Sequence, residues 1–155
     1  MTKFPVRVNG FSDFCDSYSL DQKGDVLQVS GNCAPDPRGA QKMGAALFAS
    51  HINIDQCLYN DNGNLVPRAH GGALSSCNCD VGFYLCDTCN RTSLQCSCLN
   101  ASATDRKVTL MDMNEFLGIG LDEQGRLVLY CDGVYGDWVN CVKNGAGTEC
   151  PSLLR

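Results

Sequence analysis

The chain has 155 residues, a formal charge of −5 and twelve cysteines. That length suits one compact domain or two small fused halves; the acidic balance argues against a nucleic-acid partner, which would need a basic stripe; and no run is apolar enough to span a bilayer as a helix. An even count of twelve cysteines exceeds what a reducing cytosol keeps as thiols, so the composition points to a secreted, extracellular chain stapled by disulfides, each worth ~2–4 kcal/mol.

In chain order, "MTKFPVRVNGF" lacks the apolar core of a leader, so any secretion signal is expected to have been removed. "VLQVS" (26–30) alternates apolar and polar residues after the turn "DQKGD" and predicts a strand. Residues 41–49, "QKMGAALFA", have helical composition around an unfavourable Gly44 and predict one short helix or helical turn. "INID" (52–55), "SLQCS" (93–97), "VTLMDM" (108–113) and "RLVLY" (126–130) read as further strands, separated by glycine turns at "DNGN", "EQGR" and "CDGVYGD". "DMNEFL" (112–117) predicts a single helical turn capped by Asp112 or Asn114. The class is all-β with few short helical turns.

A pattern is written twice. Ile52, Ile54 and Leu58, then a turn at Gly63 and Leu65 and Val66, are answered by Met111, Met113 and Leu117, then Gly125 and Leu127 and Val128. The second copy is three residues longer, with "GIG" (118–120) as the expected insertion. Upstream, "FSDFC" at Cys15 answers "ALSSC" at Cys77, and "VLQVSGNC" at Cys33 answers "SLQCSC" at Cys98. Such duplication implies a unit that completes its core only with its copy. The expected organisation is an N-terminal arm (1–7), repeat 1 (8–69), repeat 2 (70–130) joined at "PRAHGG" (67–72), and a cysteine-containing C-terminal extension (131–155).

These ordered units resemble the cyanovirin-N homology family, in the segments Ile52, Ile54, Asp55 with Asn60, Asn62, Gly63, Leu65, and Met111, Met113, Asn114 with Gln124, Gly125, Leu127. The resemblance covers about residues 8–130. It implies a pseudo-symmetric barrel of two intertwined repeats, carbohydrate binding of the mannose type without catalysis, shared disulfides Cys15–Cys33 and Cys77–Cys98, and dimers formed by strand exchange at 67–72 if the chain is not monomeric. The added cysteines point by analogy to a fungal source. Of the extra bridges, Cys79–Cys96 is expected as a cross-strand pair inside the Cys77–Cys98 loop, while Cys57, Cys86, Cys89, Cys131, Cys141 and Cys150 stay unassigned.

Hexose hydroxyls both donate and accept, so a sugar site needs amides, carboxylates and backbone groups fixed at several angles. Matching the family's motif places Asn60, Asn62, Ser75, Ser76 and Asn100 in one cluster, and Asp13 and Phe14 with Asp122, Glu123 and Gln124 in a second. Asn60, Asn62 and Gly63 are also good turn formers without any ligand. Asn90-Arg-Thr and Asn100-Ala-Ser are glycosylation acceptors, the second within the first cluster. A zinc knot on Cys86, Cys89, Cys96 and Cys98 is disfavoured against disulfides in a secreted chain. His51 and His70 sit in no nucleophile motif, so neither enzyme activity, cofactor nor metal is expected. In the tail, a Cys131–Cys141 bridge would make a loop presenting Tyr135 and Trp138; Trp138 there could stack on a sugar or partner, but burial against the barrel is the commoner use of such a residue. The competing reading is a small secreted effector that keeps the scaffold and binds a host surface protein.

Overall fold

A computed structural model describes residues 4–7, 9–35, 46–86 and 91–143. Its strands are β1 (Phe4–Arg7), β2 (Cys15–Lys23), β3 (Val26–Cys33), β4 (Ala46–Asn53), β5 (Leu58–Asp61), β6 (Asn64–Pro67), β7 (Cys77–Cys86), β8 (Arg91–Leu99), β9 (Arg106–Asp112), β10 (Gly118–Leu121), β11 (Leu127–Cys131), β12 (Val134–Tyr135) and β13 (Asp137–Lys143). One α-helical turn (Phe11–Phe14) and 3-10 turns at Ile54–Cys57, Ala73–Ser75 and Met113–Glu115 connect them. The strands form sheets ordered β1-β10-β11-β12, β13-β4-β3-β2, β5-β6 and β7-β8-β9. Among the described residues no sheet closes on itself, and the barrel-like body consists of separate antiparallel sheets around one main core.

The two repeats are intertwined. β4 of the first packs against β11 of the second, and β9 of the second packs against β6 of the first. Each lobe therefore joins a three-stranded unit from one repeat to a hairpin from the other. The duplication is visible bond by bond. Ser50 on β4 accepts a hydrogen bond from Leu129 N at 2.9 Å, and Thr109 on β9 accepts one from Leu65 N at 3.4 Å. Asn114 Oδ1 takes Ser12 N at 2.6 Å, while Asp55 Oδ1 takes Leu74 N at 2.7 Å. Ala34 N donates to Phe14 O, and Leu99 N to Ser76 O. Asn53 and Asp112 cap the equivalent 3-10 turns by accepting from Asp55 N and Asn114 N, which answers the Asp112-or-Asn114 alternative in favour of Asp112. Equivalent apolar positions are equally buried: Ile54 and Met113 at 0%, and Val29 and Leu94 at 0%.

Sequence and structure differ on where the second copy is longer. Repeat offset is 59 residues at Ser50 and Thr109 but 64 at Leu65 and Leu129, the two amides that bond those hydroxyls. Five residues are thus added, all at the hairpin tip. The first hairpin turns in two residues, Asn62 (φ 51°) and Gly63 (φ 95°), between paired Asp61 and Asn64, as a type I′ turn requires. The second pairs out to Leu121 and Leu127 and turns over 122–126. Gly118–Gly120 is not an insertion: it is part of β10, wholly buried between β1 and β11, where small residues let strands pack closely.

The helix expected over 41–49 is corrected for residues 46–49, which begin β4; 41–45 lie outside the described residues. Leu47, Phe48, Ser50 and Ile52 are buried, and ladders to β3 on one side and β13 on the other override a weak local helical preference. Residues 137–143 of the C-terminal extension are thus a strand of this sheet.

Four disulfides join described cysteines: Cys15–Cys33, Cys77–Cys98, Cys79–Cys96 and Cys57–Cys131. The first three are cross-strand links within β2–β3 and β7–β8. Cys57–Cys131 ties the 3-10 turn of the first repeat to β11 of the second, so the Cys131–Cys141 loop does not form. Cys141 is disulfide-bonded as well; Cys86, Cys89 and Cys150 lie outside the described side chains. Cys96 and Cys98, spent in disulfides, offer no thiolate to zinc.

The junction at 67–72 is strapped down. Arg68, His70 and Gly72 donate backbone hydrogen bonds to Cys57, Gln56 and Asp55 carbonyls. Gly71 passes so close to β5 that a Cβ would stand 2.0 Å from Leu58 O, which only glycine allows.

Candidate functional site

At the tip of the first hairpin lies a cleft of about 440 Å³ lined by Tyr59, Asn60, Asp61, Asn62, Ser76, Leu99, Asn100, Ala101 and Ala103. It forms where the β5–β6 hairpin of the first repeat meets the strand ends flanking Cys77 and Cys98 in the second. Asn60 makes that meeting rigid. Its Nδ2 donates to Ser76 Oγ at 2.7 Å and to Leu99 O at 2.8 Å, while its Oδ1 accepts from Gly63 N at 2.7 Å. Both amide protons are spent on the scaffold. Asn62 Oδ1 accepts from Ala101 N at 2.8 Å, clamping the two walls. Asn100 Oδ1 accepts from Thr104 N at 2.9 Å, and its Nδ2 donates to Thr104 Oγ1 at 3.1 Å, which fixes the loop that carries Ala103 at φ 54°.

Among the described residues, Asn62 Nδ2 and the Ser76 hydroxyl proton have no acceptor. Beside them stand the exposed Asp61 carboxylate and the Tyr59 ring, over which the Arg68 guanidinium sits at 4.0 Å. The cleft thus presents donors, an anionic acceptor and an aromatic edge on rigid backbone, the mixture that a polyol needs.

Of the residues named for this cluster, Asn60, Asn62, Ser76 and Asn100 line the cleft, and Ser75 stands exposed outside its lining. Tyr59, Asp61, Leu99, Ala101 and Ala103 were not anticipated; the first two flank the turn motif and could have been included, while the alanines carry no sequence signal.

The second cluster is assembled differently. Asp122, Glu123, Gln124 and Arg126 line a smaller depression of about 230 Å³ with Tyr135, Gly136, Asp137 and Trp138 from the tail. Asp13 is exposed and does not line it, and Phe14 is buried in the core at 5%. Asp122 is itself buried, accepting from Gln124 N at 2.9 Å, Arg126 N at 2.8 Å and Arg126 Nε at 3.0 Å. Burial pushes its carboxyl up, but the Arg126 and Gln124 hydrogen bonds and the Arg126 charge outweigh it and hold the pKa below the usual carboxylate value. Asp122 acts as the bracket of its turn. Arg126 also covers the Trp138 ring at 4.8 Å, and Trp138 is half-buried, in line with the packing use expected of it over stacking on a ligand.

His51 Nδ1 lies 3.6 Å from Asp137 Oδ2, and His70 meets Gln56 at 3.4 Å. Neither lines the cleft. Asn90 lies outside the described residues.

No family model matches the chain, and no curated protein matches it. Among solved structures, a complex of microvirin with mannobiose matches with a TM-score of 0.52 and 18% identity, over 80% of this chain and 99% of that one. The chain accordingly has a cyanovirin-N-like fold.

Proposed function

We propose that the chain is a secreted, non-catalytic lectin that recognises mannose-type glycans in the cleft at the first hairpin. The observation that carries this reading is the cleft itself: scaffold amides spend their capacity fixing its walls, while Asn62 Nδ2, Ser76 Oγ and Asp61 face outward for hydroxyls. The matching of the fold to a protein whose solved structure is a complex with mannobiose supports a sugar of that type, and the four disulfides that join described cysteines support an extracellular life. Asn60 serves as the positioning residue and Asn62 and Ser76 as contacts. Ser75, Asp13, Asp122 and Gln124 are assigned no sugar contact: the first two lie outside both linings, and Asp122 is consumed by its own turn.

NMR titration with mannobiose tests the reading. Amide shifts are expected at Asn62, Ser76 and 100–103, and a folded spectrum that does not move at millimolar sugar rejects it. Asn62→Asp keeps the acceptor for Ala101 N but removes the outward donor, and should weaken binding by roughly threefold to tenfold, the worth of one neutral hydrogen bond.

A further inference from the structure

Along β9 the duplicated scaffold leaves an edge open that is covered on its counterpart, β4. β4 and β9 are equivalent strands, each packed on a hairpin of the other repeat. On β4, residues 46–51 are covered along the edge by antiparallel β13. Of the equivalent residues 105–110, those in β9 (106–110) pair with β8 alone, and no other backbone–backbone hydrogen bond to described residues leaves 106–110. All but Thr109 are exposed, including Val108 at 63% and Leu110 at 54%. Exposed apolar side chains on an open strand edge invite a further strand.

A hydroxyl marks the difference independently. Ser50 Oγ accepts from Leu129 N and donates at 2.7 Å to Asp137 O of the covering strand. Thr109 Oγ1, its equivalent, accepts from Leu65 N, and its own proton has no acceptor among the described residues although the residue is 8% exposed. The acceptor that β13 supplies to Ser50 is what Thr109 lacks.

We propose that β9 pairs with β9 of a second copy of this chain, antiparallel about a twofold axis at Thr109, joining the two β7-β8-β9 sheets into one. The sequence of β9 is self-complementary in that register alone. Val108 lies opposite Leu110 of the second copy, and Arg106 opposite Asp112, with both pairs repeated by the axis. A shift of two residues sets Val108 against itself or against Asp112, and a shift of one turns the exposed face inward. The pairing uses a different surface from exchange at the 67–72 junction, and it would put two first-hairpin clefts on one particle.

Sedimentation equilibrium of the disulfide-intact chain from micromolar to millimolar concentration tests this. The expected result is a mass rising to twice that of the chain. Val108→Lys with Leu110→Lys sets like charges opposite each other and should give a monomer over the whole range, with its thermal midpoint in dilute solution unchanged because both positions are exposed. Val108→Lys with Leu110→Glu sets Lys opposite Glu in this register and should restore the dimer. A wild-type chain that stays monomeric at millimolar concentration overturns the proposal. So does a dimer that survives the double-lysine change, or a Lys/Glu variant that is folded yet monomeric.

Discussion

The two lobes are built from the same unit, and they diverge where the tail arrives. In one lobe β4 is a central strand: Phe48 is 1% exposed, Ser50 is bonded on both sides, and Cys131 at the end of the hairpin is locked to Cys57. In the other, the equivalent of Phe48 is Lys107, exposed and reaching Asn64 on the hairpin, and the positions equivalent to Cys57 and Cys131 are Phe116 and Pro67. The open lobe keeps the short two-residue turn and the cleft, while the covered lobe carries the five added residues and fills its hairpin flank with Tyr135 and Trp138. Duplication supplies two equal scaffolds, and a strand laid on one of them makes it structural and leaves the other for binding.

The largest effect that separates the lobes should come from Cys57–Cys131, the described bridge that spans the repeats. It closes 74 residues, against 18 for Cys15–Cys33. Constraining so long a loop in the unfolded chain is worth about 4 kcal/mol, compared with about 3 kcal/mol for the shorter one. Replacing both Cys57 and Cys131 by Ala should lower unfolding stability by that amount in a denaturant titration, with the other bridges intact. A loss below about 1 kcal/mol would mean the lobes hold together without it.

A smaller contrast lies in the paired hydroxyls. Ser50→Ala removes one buried and one partly buried hydrogen bond and leaves Leu129 N without its acceptor, for a loss of about 2 kcal/mol. Thr109→Val removes one long bond and keeps the shape, so about 1 kcal/mol or less is expected in the monomer. Equal losses on thermal unfolding would break the distinction drawn between a covered and an open strand.

Much of this was legible in the sequence where pattern and period coincide. Alternation in "VLQVS" matches Leu27 and Val29 buried with Gln28 half-exposed, and the repeated apolar triads at Ile52, Ile54, Leu58 and Met111, Met113, Leu117 mark equivalent core positions. Asn62-Gly63 announces its turn because both residues take positive φ. What was hidden is non-local. Nothing near Leu47 and Phe48 tells that strands flank them on both sides, so local composition favoured a helix. Gly118 and Gly120 look like loop residues until β1 and β11 enclose them. The second cluster was misassembled because motif matching brought in Asp13 and could not see that Trp138, far along the chain and outside the resemblance, occupies that flank. In the first cluster the roles were blurred: Asn60 and Asn62 are adjacent in the motif, yet one spends its amide on the scaffold and the other points it outward.

The finest contrast is between two buried carboxyls of opposite pH behaviour. Burial, helped by Asp25 and opposed by the Leu74 amide, raises the pKa of Asp55 above 3.8, whereas the hydrogen bonds from Arg126 and Gln124 carry Asp122 below it. The signs follow by linkage. The stability associated with Asp55 is fully present below 3.8 and is lost as pH rises through its higher folded value. That associated with Asp122 is present above 3.8 and is lost as pH falls through its lower one. The scaffold already contains the neutral alternative to Asp55, since Asn114 holds Ser12 N in the equivalent place. Asp55→Asn should therefore raise the thermal midpoint at pH 7 and leave it little changed at pH 3, while Asp122→Asn should lower it at pH 7 and converge on the wild type in strong acid. Midpoints measured from pH 2 to 7 would decide the matter: if Asp55→Asn merely tracked the wild-type profile in parallel, the charge at position 55 would carry no cost, and the equivalence with Asn114 would be one of shape alone.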